Sequence, residues 1–254
     1  MRWHALALLA ITPLAGADLK PPTVEAFDRF IRQAEQRLDS RAQFLWADEA
    51  PDRAQKLRQG GPVVQPFGAN PVTKVPGGLV HDWVGSAFLP GVTLPQTLAL
   101  VQDYNRHKEY YKPEVADSRI LSRDNNHYKI FLRLVKKQVI TVTLATEHDV
   151  QYTQVTPKQS RSVSRTTKIA EVDDAGNPSE REQPPGKGQG FLWKLNSYWR
   201  FEERDGGTWI ECEAISLTRD IPTGLGWIVE PIIRNLPKDS LVNTLNATRA
   251  ALVK

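Results

Sequence analysis

This chain of 254 residues has little cysteine and a small net charge. Cys212 is the only cysteine, so no disulfide can form within the chain and a hydrophobic core must stabilise the fold. Lys and Arg number 33 against 29 for Asp and Glu, and this small basic excess is spread along the sequence. A nucleic-acid-binding protein usually clusters its basic residues on one face. We therefore expect no nucleic-acid partner.

Long apolar runs are also scarce, because the one extended uncharged stretch lies at the start of the chain. A short basic beginning, residues 1–4, precedes the uncharged residues 5–17, which end in small side chains. This pattern is typical of a secretory signal peptide, and Asp18 ends it short of the roughly 20 apolar residues that span a bilayer. We predict cleavage after Ala17, export to the periplasm or the exterior, and no transmembrane span in the mature chain.

The residue types that carry metal or nucleophilic chemistry are few and scattered. Four histidines lie beyond the predicted signal peptide, and none has the spacing to another that convergent metal ligands require. Cys212 has no cation beside it in the sequence that would lower the pKa of its thiol, and there is no G-x-S-x-G motif. The sequence therefore predicts no metal, no cofactor and no catalytic residue, and it leaves open whether the chain is an enzyme.

The segment after the signal pattern predicts a helix over residues 23–48, with Thr23 as its N-cap and an apolar stripe that includes Phe27, Ile31 and Leu38. This helix either docks on the rest of the chain or contacts a partner or a membrane surface. Docking is the expectation, because membrane-surface helices carry a stronger basic bias. Residues 50–78 are rich in Pro, Gly, Gln and Asn and predict a linker. The predicted organisation is a signal peptide (1–17), an N-terminal helix (18–49), a linker (50–78) and a main domain (79–254).

The main domain alternates between patterns typical of strands and of helices. A first strand (79–89) is followed by a helix (94–112). Further strands are predicted over 118–123, 127–137, 138–152, 161–172, 191–204 and 208–219, with a long polar loop over 173–190. A helical pattern closes the chain over 225–252, and Pro231 and Pro237 inside it predict a kink or a break.

Two stretches of sequence carry a resemblance to a known superfamily. The first stretch lies near the C-terminus and comprises residues 212–217, 221–222, 227–231, 236–237 and 244–249. The second lies near the start of the main domain and comprises residues 103–115. Together with the order of elements, these stretches resemble the START-like proteins (the SRPBCC superfamily, with Bet v 1-like, polyketide-cyclase and coenzyme Q-binding members). The resemblance covers about residues 79–254. It implies an α+β helix-grip fold, in which a curved antiparallel sheet wraps a long C-terminal helix and leaves a cavity between them. The N-terminal helix is an extension to that fold.

Alternation along the last two strands predicts which side chains point into that cavity. Glu211 and Glu213 share one face of the final strand, and charged groups belong in water unless they are paired, so the opposite face is predicted to be the inner one. The same reasoning places Arg200 and Glu202 outside. The predicted ligand-facing residues are Val142, Leu144, Leu195, Ser197, Trp199, Phe201, Cys212, Ala214, Ser216, Ile228 and Ile232.

A pocket of this composition is apolar with a few hydroxyl groups, which suits a lipid, an isoprenoid or an aromatic molecule. The sequence therefore predicts an exported protein that binds a hydrophobic small molecule. Two alternatives stay open. One is a protein-interaction module without an open cavity, which would use the N-terminal helix or the 173–190 loop. The other is a cyclase- or aromatase-type enzyme, which would need two of Arg133, His148, Tyr198 and Arg219 to converge on the cavity for proton transfer.

Overall fold

The structure is a computed structural model that describes residues 16–137, 141–221 and 226–253, with backbone only for 226–234. Ten strands form one antiparallel sheet. They are β1 (Val63–Pro66), β2 (Val72–Val75), β3 (Gly78–Pro90), β4 (Val115–Asp124), β5 (His127–Lys137), β6 (Thr141–Thr156), β7 (Gln159–Asp173), β8 (Arg181–Glu182), β9 (Lys194–Arg204) and β10 (Gly207–Arg219). The α-helices are α1 (Pro21–Asp39), α2 (Pro51–Arg58), α3 (Leu94–Val101), α4 (His107–Tyr110) and α5 (Gly226–Leu252). None of the helices in these ranges is long and apolar enough to cross a membrane.

The strand order identifies the architecture. It runs β1-β3-β10-β9-β7-β6-β5-β4, with β2 also on β3 and β8 on β7. The first long strand, β3, thus pairs with the last, β10, along their whole length from Gly78–Arg219 to Pro90–Gly207. The long closing helix α5 packs on β3, β1 and β10. A curved antiparallel sheet around a C-terminal helix is the helix-grip arrangement, so the predicted α+β fold class is confirmed.

The hairpins form where the sequence places residues suited to positive φ. Asn125 (φ 50°) turns β4 into β5, and Asp205 (φ 57°) with Gly206 (φ 74°) turns β9 into β10. Asn, Asp and Gly tolerate this left-handed conformation better than other residues. Helix α3 begins with a capping box in which Thr93 and Gln96 each bond to the other's backbone N–H. It ends at Val101, so the single predicted helix over 94–112 is divided into shorter turns.

The N-terminal segment packs on the convex face of the sheet, the face turned away from α5. Phe27, Ile31 and Leu38 of α1 lie in one core cluster with Ile215 and Leu217 of β10. Helix α1 begins two residues before Thr23, whose buried hydroxyl donates to the carbonyl of Pro76 instead of capping the helix. The helix also ends at Asp39 and not at residue 48, because the chain turns there and continues along the sheet.

Two further predictions differ from the structure. The stretch predicted as a linker contains α2, β1 and β2. The two short strands pair with β3. They are strands because of this pairing, and their own sequences show no periodic apolar pattern. Helix α5 runs without a break through Pro231 and Pro237. The predicted break is absent because a proline removes one backbone hydrogen bond, while the bonds on either side continue the helix.

Candidate functional site

The concave face of the sheet, which looks toward α5, is the candidate site. On β10 this face carries Ile210, Cys212, Ala214 and Ser216, because successive side chains of a strand point to opposite sides. Ile210 and Cys212 share a core cluster with Leu241 and Leu245 of α5. Helix α5 approaches β3 closely at Gly85, where a Cβ would stand 2.8 Å from Leu245 Cδ1. The C-terminal half of α5 therefore rests directly on the sheet.

Farther along the concave face, the side chains are only half-buried. These residues, which we call the concave patch, are Leu132, Leu134, Val142, Ser164, Leu195, Ser197, Trp199 and Ala214. The patch is continuous across the sheet, because Ser164 pairs with Ser197, and Ser197 pairs with Ala214. These side chains point to the side on which α5 lies and keep part of their surface accessible. The patch is thus a mostly apolar wall with two serine hydroxyls.

An aromatic plug fills the end of the concave space beneath α3 and α4. Its residues are Tyr104, His107, Tyr111, Tyr128 and Tyr152, all at most 9% exposed. The Tyr104 and Tyr152 hydroxyl groups are 2.8 Å apart. Tyr111 donates to Thr248 of α5 at 3.1 Å, because the Thr248 hydroxyl proton is used on the Thr244 carbonyl. Burial raises the pKa of Tyr111 to about 12 and lowers the pKa of His107 to about 4. The plug is therefore uncharged at neutral pH and closes this end.

A chain of polar side chains lies behind the concave patch. Thr146 Oγ1 donates to the carbonyl of Leu132 at 2.9 Å and lies 2.9 Å from His148 Nε2. His148 Nδ1 lies 3.5 Å from Ser164 Oγ. Burial lowers the pKa of His148 to about 4, so the ring is neutral at pH 7. Sequence reasoning did not select Ser164 or Thr146, although Ser160, Ser162 and Ser164 alternate along β7 and signal a hydroxyl-lined face.

The predicted ligand-facing residues of the strands all belong to the concave side. Val142, Leu195, Ser197, Trp199 and Ala214 are half-buried members of the concave patch. The others are buried: Leu144 is 3% exposed, Phe201 0%, Cys212 3% and Ser216 6%. The Trp199 and Phe201 rings stack with their centroids 5.8 Å apart. Ile228 and Ile232 lie outside the residues whose side chains the structure describes. Sequence reasoning did not include Leu132 and Leu134 of β5.

The expectation that Glu211 and Glu213 stand in water is wrong. Both are at most 1% exposed, because α1 and the segment after it cover the convex face and supply cations. Arg37 donates to both oxygens of Glu213, at 2.6 and 3.1 Å, and Arg41 donates to Glu211 at 2.6 Å.

Arg200, also predicted outside, is 8% exposed. It donates to the carbonyls of Leu38 and Phe44. Charge pairing as well as apolar packing therefore holds α1 and the segment after it on the convex face.

The four side chains proposed for proton transfer do not converge. His148 faces the concave side, but Tyr198 bonds to Glu35 of α1 on the convex side. Arg133 is also on the convex side, where it donates to Glu180. Arg219, at the end of β10, donates to the Gln189 carbonyl. The geometry required by a cyclase-type enzyme with two of these residues is therefore not met. Within the described residues, no three His, Cys, Asp or Glu side chains gather as metal ligands.

A depression of about 440 Å³ lies on the convex side, where the segment after α1 crosses the tip of the β6–β7 hairpin. Three arginines line it, and each is engaged with the protein. Arg41 pairs with Glu211 and Glu49, and Arg161 pairs with Asp39; Arg200 holds the carbonyls described above. Each of these cations already bonds to the protein, although the buried Nη2 of Arg41 has no hydrogen-bond partner among the described residues. The lining is also more strongly charged than the concave patch, which is therefore the stronger candidate for an apolar ligand.

Comparisons with known proteins find similar folds. No protein-family model matches the sequence, and no curated protein matches it. A STAR-related lipid transfer protein from Xanthomonas axonopodis is 16% identical over 76% of this chain and 99% of its own, with a TM-score of 0.46. The Zhui aromatase/cyclase of a Streptomyces species is 13% identical over 68% and 93%, with a TM-score of 0.43. A START superfamily protein from Mycobacterium smegmatis is 11% identical over 76% and 97%, with a TM-score of 0.41.

Proposed function

We propose that this chain is an exported carrier that binds an apolar small molecule between the concave patch and α5. The observation that carries the proposal is the difference between the two faces of one sheet. The convex face is covered by α1 and by ion pairs, whereas the concave patch keeps accessible apolar surface at Trp199, Leu195 and Ala214. Monomeric proteins seldom leave inward-facing apolar side chains accessible without a ligand or partner to cover them.

Export is the part of the proposal that rests on the sequence alone. The basic start and the uncharged residues 5–17 support cleavage after Ala17. The mature chain would then begin at Asp18, whose carboxylate pairs with Lys187 at 2.6 Å. Cys212 is buried, and burial raises the pKa of its thiol. Such a thiol stays protonated and unreactive, which is consistent with a protein in an oxidising compartment.

An interaction module is the less favoured alternative, for a specific reason. That function would use a free apolar face of the N-terminal helix, but Phe27, Ile31 and Leu38 are each at most 7% exposed against the sheet. The exposed side of α1 is polar. A helix whose apolar stripe is already buried has little left to offer a hydrophobic partner.

The first test fills the proposed site. Ala214→Phe places a ring in the open space beside Ser197 and Trp83, the residues paired with Ala214. The matched control is Ala116→Phe, at an exposed position of β4. Both proteins are purified without detergent from the export compartment, incubated with a total lipid extract and examined by native mass spectrometry. The intact mass also reports whether the chain begins at Asp18.

We expect a non-covalent adduct on the wild-type chain and on Ala116→Phe, and at least a roughly tenfold lower adduct fraction on Ala214→Phe, because overpacking excludes the ligand. Circular dichroism checks that both variants are folded. A wild-type chain that carries no adduct, even after incubation with lipid, would contradict the carrier function. An adduct that persists on a folded Ala214→Phe would place the ligand elsewhere.

A further inference from the structure

The concave patch places two serine hydroxyls side by side. Ser164 of β7 and Ser197 of β9 are directly paired across the sheet, and both are half-buried on the concave side. Directly opposite residues on neighbouring strands have Cβ atoms about 4.5–5.5 Å apart. A single small polar group on a ligand can therefore contact both hydroxyls at once.

The hydrogen bonds behind the patch fix the direction of the Ser164 hydroxyl. A carbonyl can only accept, so the Thr146 proton points to the Leu132 carbonyl. The contact between Thr146 and His148 then requires His148 Nε2 to carry a proton, which leaves the lone pair on Nδ1. Nδ1 accepts from Ser164 Oγ across the long 3.5 Å contact. Ser164 thus uses its proton on the protein and offers an acceptor to the concave space.

Ser197 differs from Ser164 in that its hydroxyl is not used. In the described parts of the chain, no side chain or backbone group hydrogen-bonds to Ser197 Oγ. Its O–H group is therefore able to donate to a ligand, while the Ser164 oxygen accepts from the ligand. The pair presents one donor and one acceptor in neighbouring positions.

Among the described residues, the charged side chains on the neighbouring strands form no hydrogen bond with this pair of serines. On β5, β7 and β9 the charged side chains of the concave side are engaged with other parts of the chain: Lys136 with Glu114, Glu171 with the N–H groups of Gln189 and Phe191, Asp173 with Arg181, and Glu203 with the N–H of Leu94. On these three strands an anionic ligand would lose its hydration without gaining an unpaired cation. The strand side of the site therefore favours a neutral molecule.

We infer that the ligand is a neutral apolar molecule with a hydroxyl group, which donates to Ser164 and accepts from Ser197 while the apolar body lies on Trp199. This inference rests on the proposed function and names its ligand class. A hydroxyl group both donates and accepts, whereas a ketone or an ester only accepts and a hydrocarbon does neither. Among these four groups, the hydroxyl is therefore the one that uses both serines.

Three probes with the same ring system test the inference: 2-naphthol, 2-methylnaphthalene and 2-naphthoate, each titrated into the full-length exported protein by calorimetry at neutral pH. We expect 2-naphthol to bind about five- to tenfold more tightly than 2-methylnaphthalene, the gain of a buried hydrogen bond. Ser197→Ala and Ser164→Ala should each reduce that ratio to within about twofold. Ser160→Ala is the matched control, since its hydroxyl lies on the same face of β7 but already donates to the Thr153 carbonyl, and it should keep the wild-type ratio.

The possible results distinguish a failure of this inference from a failure of the proposed carrier function. Equal wild-type affinities for 2-naphthol and 2-methylnaphthalene would overturn the hydroxyl preference and leave an apolar carrier. Tighter binding of 2-naphthoate would overturn the preference for a neutral ligand. If none of the three probes binds but the native mass spectrum shows a lipid adduct, this inference fails and the carrier function stands; if neither the probes nor the lipids bind, both fail. Thermal melting checks that each variant keeps the wild-type fold.

Discussion

Asp82 of β3 is a carboxyl group buried under α1, 6% exposed. It lies beside Glu213 of the neighbouring strand, and the Arg37 guanidinium, 3.6 Å away, is bound more closely to Glu213. Burial, and next the charge of Glu213, raise the pKa of Asp82 to about 8. The folded protein thus holds a proton on Asp82 at neutral pH, whereas the unfolded chain, with an ordinary aspartate, does not.

This proton makes stability depend on pH. Between about pH 4 and pH 8 the folded state binds one more proton than the unfolded state, so the free energy of unfolding falls as pH rises through that window. Asp82→Asn stays neutral and removes this dependence. We expect its stability relative to wild type to increase from pH 5 to pH 9, by about 1.4 kcal/mol for each pH unit up to about pH 8.

Urea denaturation at pH 5, 7 and 9 measures the effect. The control is Asp28→Asn, on the exposed side of α1, whose difference from wild type should stay constant over this range. A constant difference for Asp82→Asn as well would mean that Asp82 is ionised in the folded protein.

Single residues also show why sequence reasoning misjudged the convex face. Alternation separates Glu211 and Glu213 from Cys212 and Ala214, but it does not say which face meets water. The cations that pair with the glutamates, Arg37 and Arg41, lie about 170 positions earlier in the chain. Without that long-range contact, a pair of charges on a strand indicates a solvated face.

Among the elements, α5 packs closely on β3 on the concave side of the sheet. Gly85 permits this contact, because a Cβ there would stand 2.7 Å from Val64 Cγ2 and 2.8 Å from Leu245 Cδ1. Leu245 is fully buried. Any side chain at position 85 therefore pushes α5 away from the sheet or strains its packing.

We expect Gly85→Ala to lower the free energy of unfolding by about 1–3 kcal/mol, the usual cost of overpacking a buried site. The measurement is urea denaturation monitored by far-UV circular dichroism. Substituting glycine by alanine in a strand that nothing covers would be neutral or favourable. Unchanged or increased stability would therefore show that α5 does not rest on Gly85 in solution.

The elements of the main domain were largely predictable from the sequence, and those of the N-terminal part were not. The long strands β5, β7 and β10 have their own alternating patterns, because each packs one face on a core. In contrast, β1 and β2 are four residues long and pair only at the edge of β3. In the site, alternation indicated the inward positions of β9 and β10, but not the hydrogen bonds between His148 and Ser164, which depend on strand pairing.

The whole molecule has its sheet between two layers, α5 on one side and the N-terminal segment on the other. If the N-terminal segment and the sheet unfold as one cooperative unit, weakening the packing of the segment should lower the free energy of unfolding of the whole protein. Phe27 of α1 is 2% exposed, so Phe27→Ala should cost about 3–5 kcal/mol in a single transition. Guanidinium denaturation followed by tryptophan fluorescence and by circular dichroism tests this.

Arg29→Ala, on the exposed side of the same helix, is the control and should leave stability nearly unchanged. The opposing result is a separate early transition in Phe27→Ala, with the main transition at the wild-type position. That result would make α1 an appendage that the sheet does not need.

The pairing of β3 with β10 also governs when the chain can fold. The long strand β3 completes its pairing only when β10 is present, as in the pair Gly78–Arg219, and α1 needs Glu213 and Ile215 from the same late strand. A polypeptide that emerges from the ribosome amino end first therefore has neither layer of its core until most of its length has been made. Such non-local topologies fold slowly. The nascent chain consequently stays unfolded during most of its synthesis, which is the state that the proposed export would require for passage through a translocation channel.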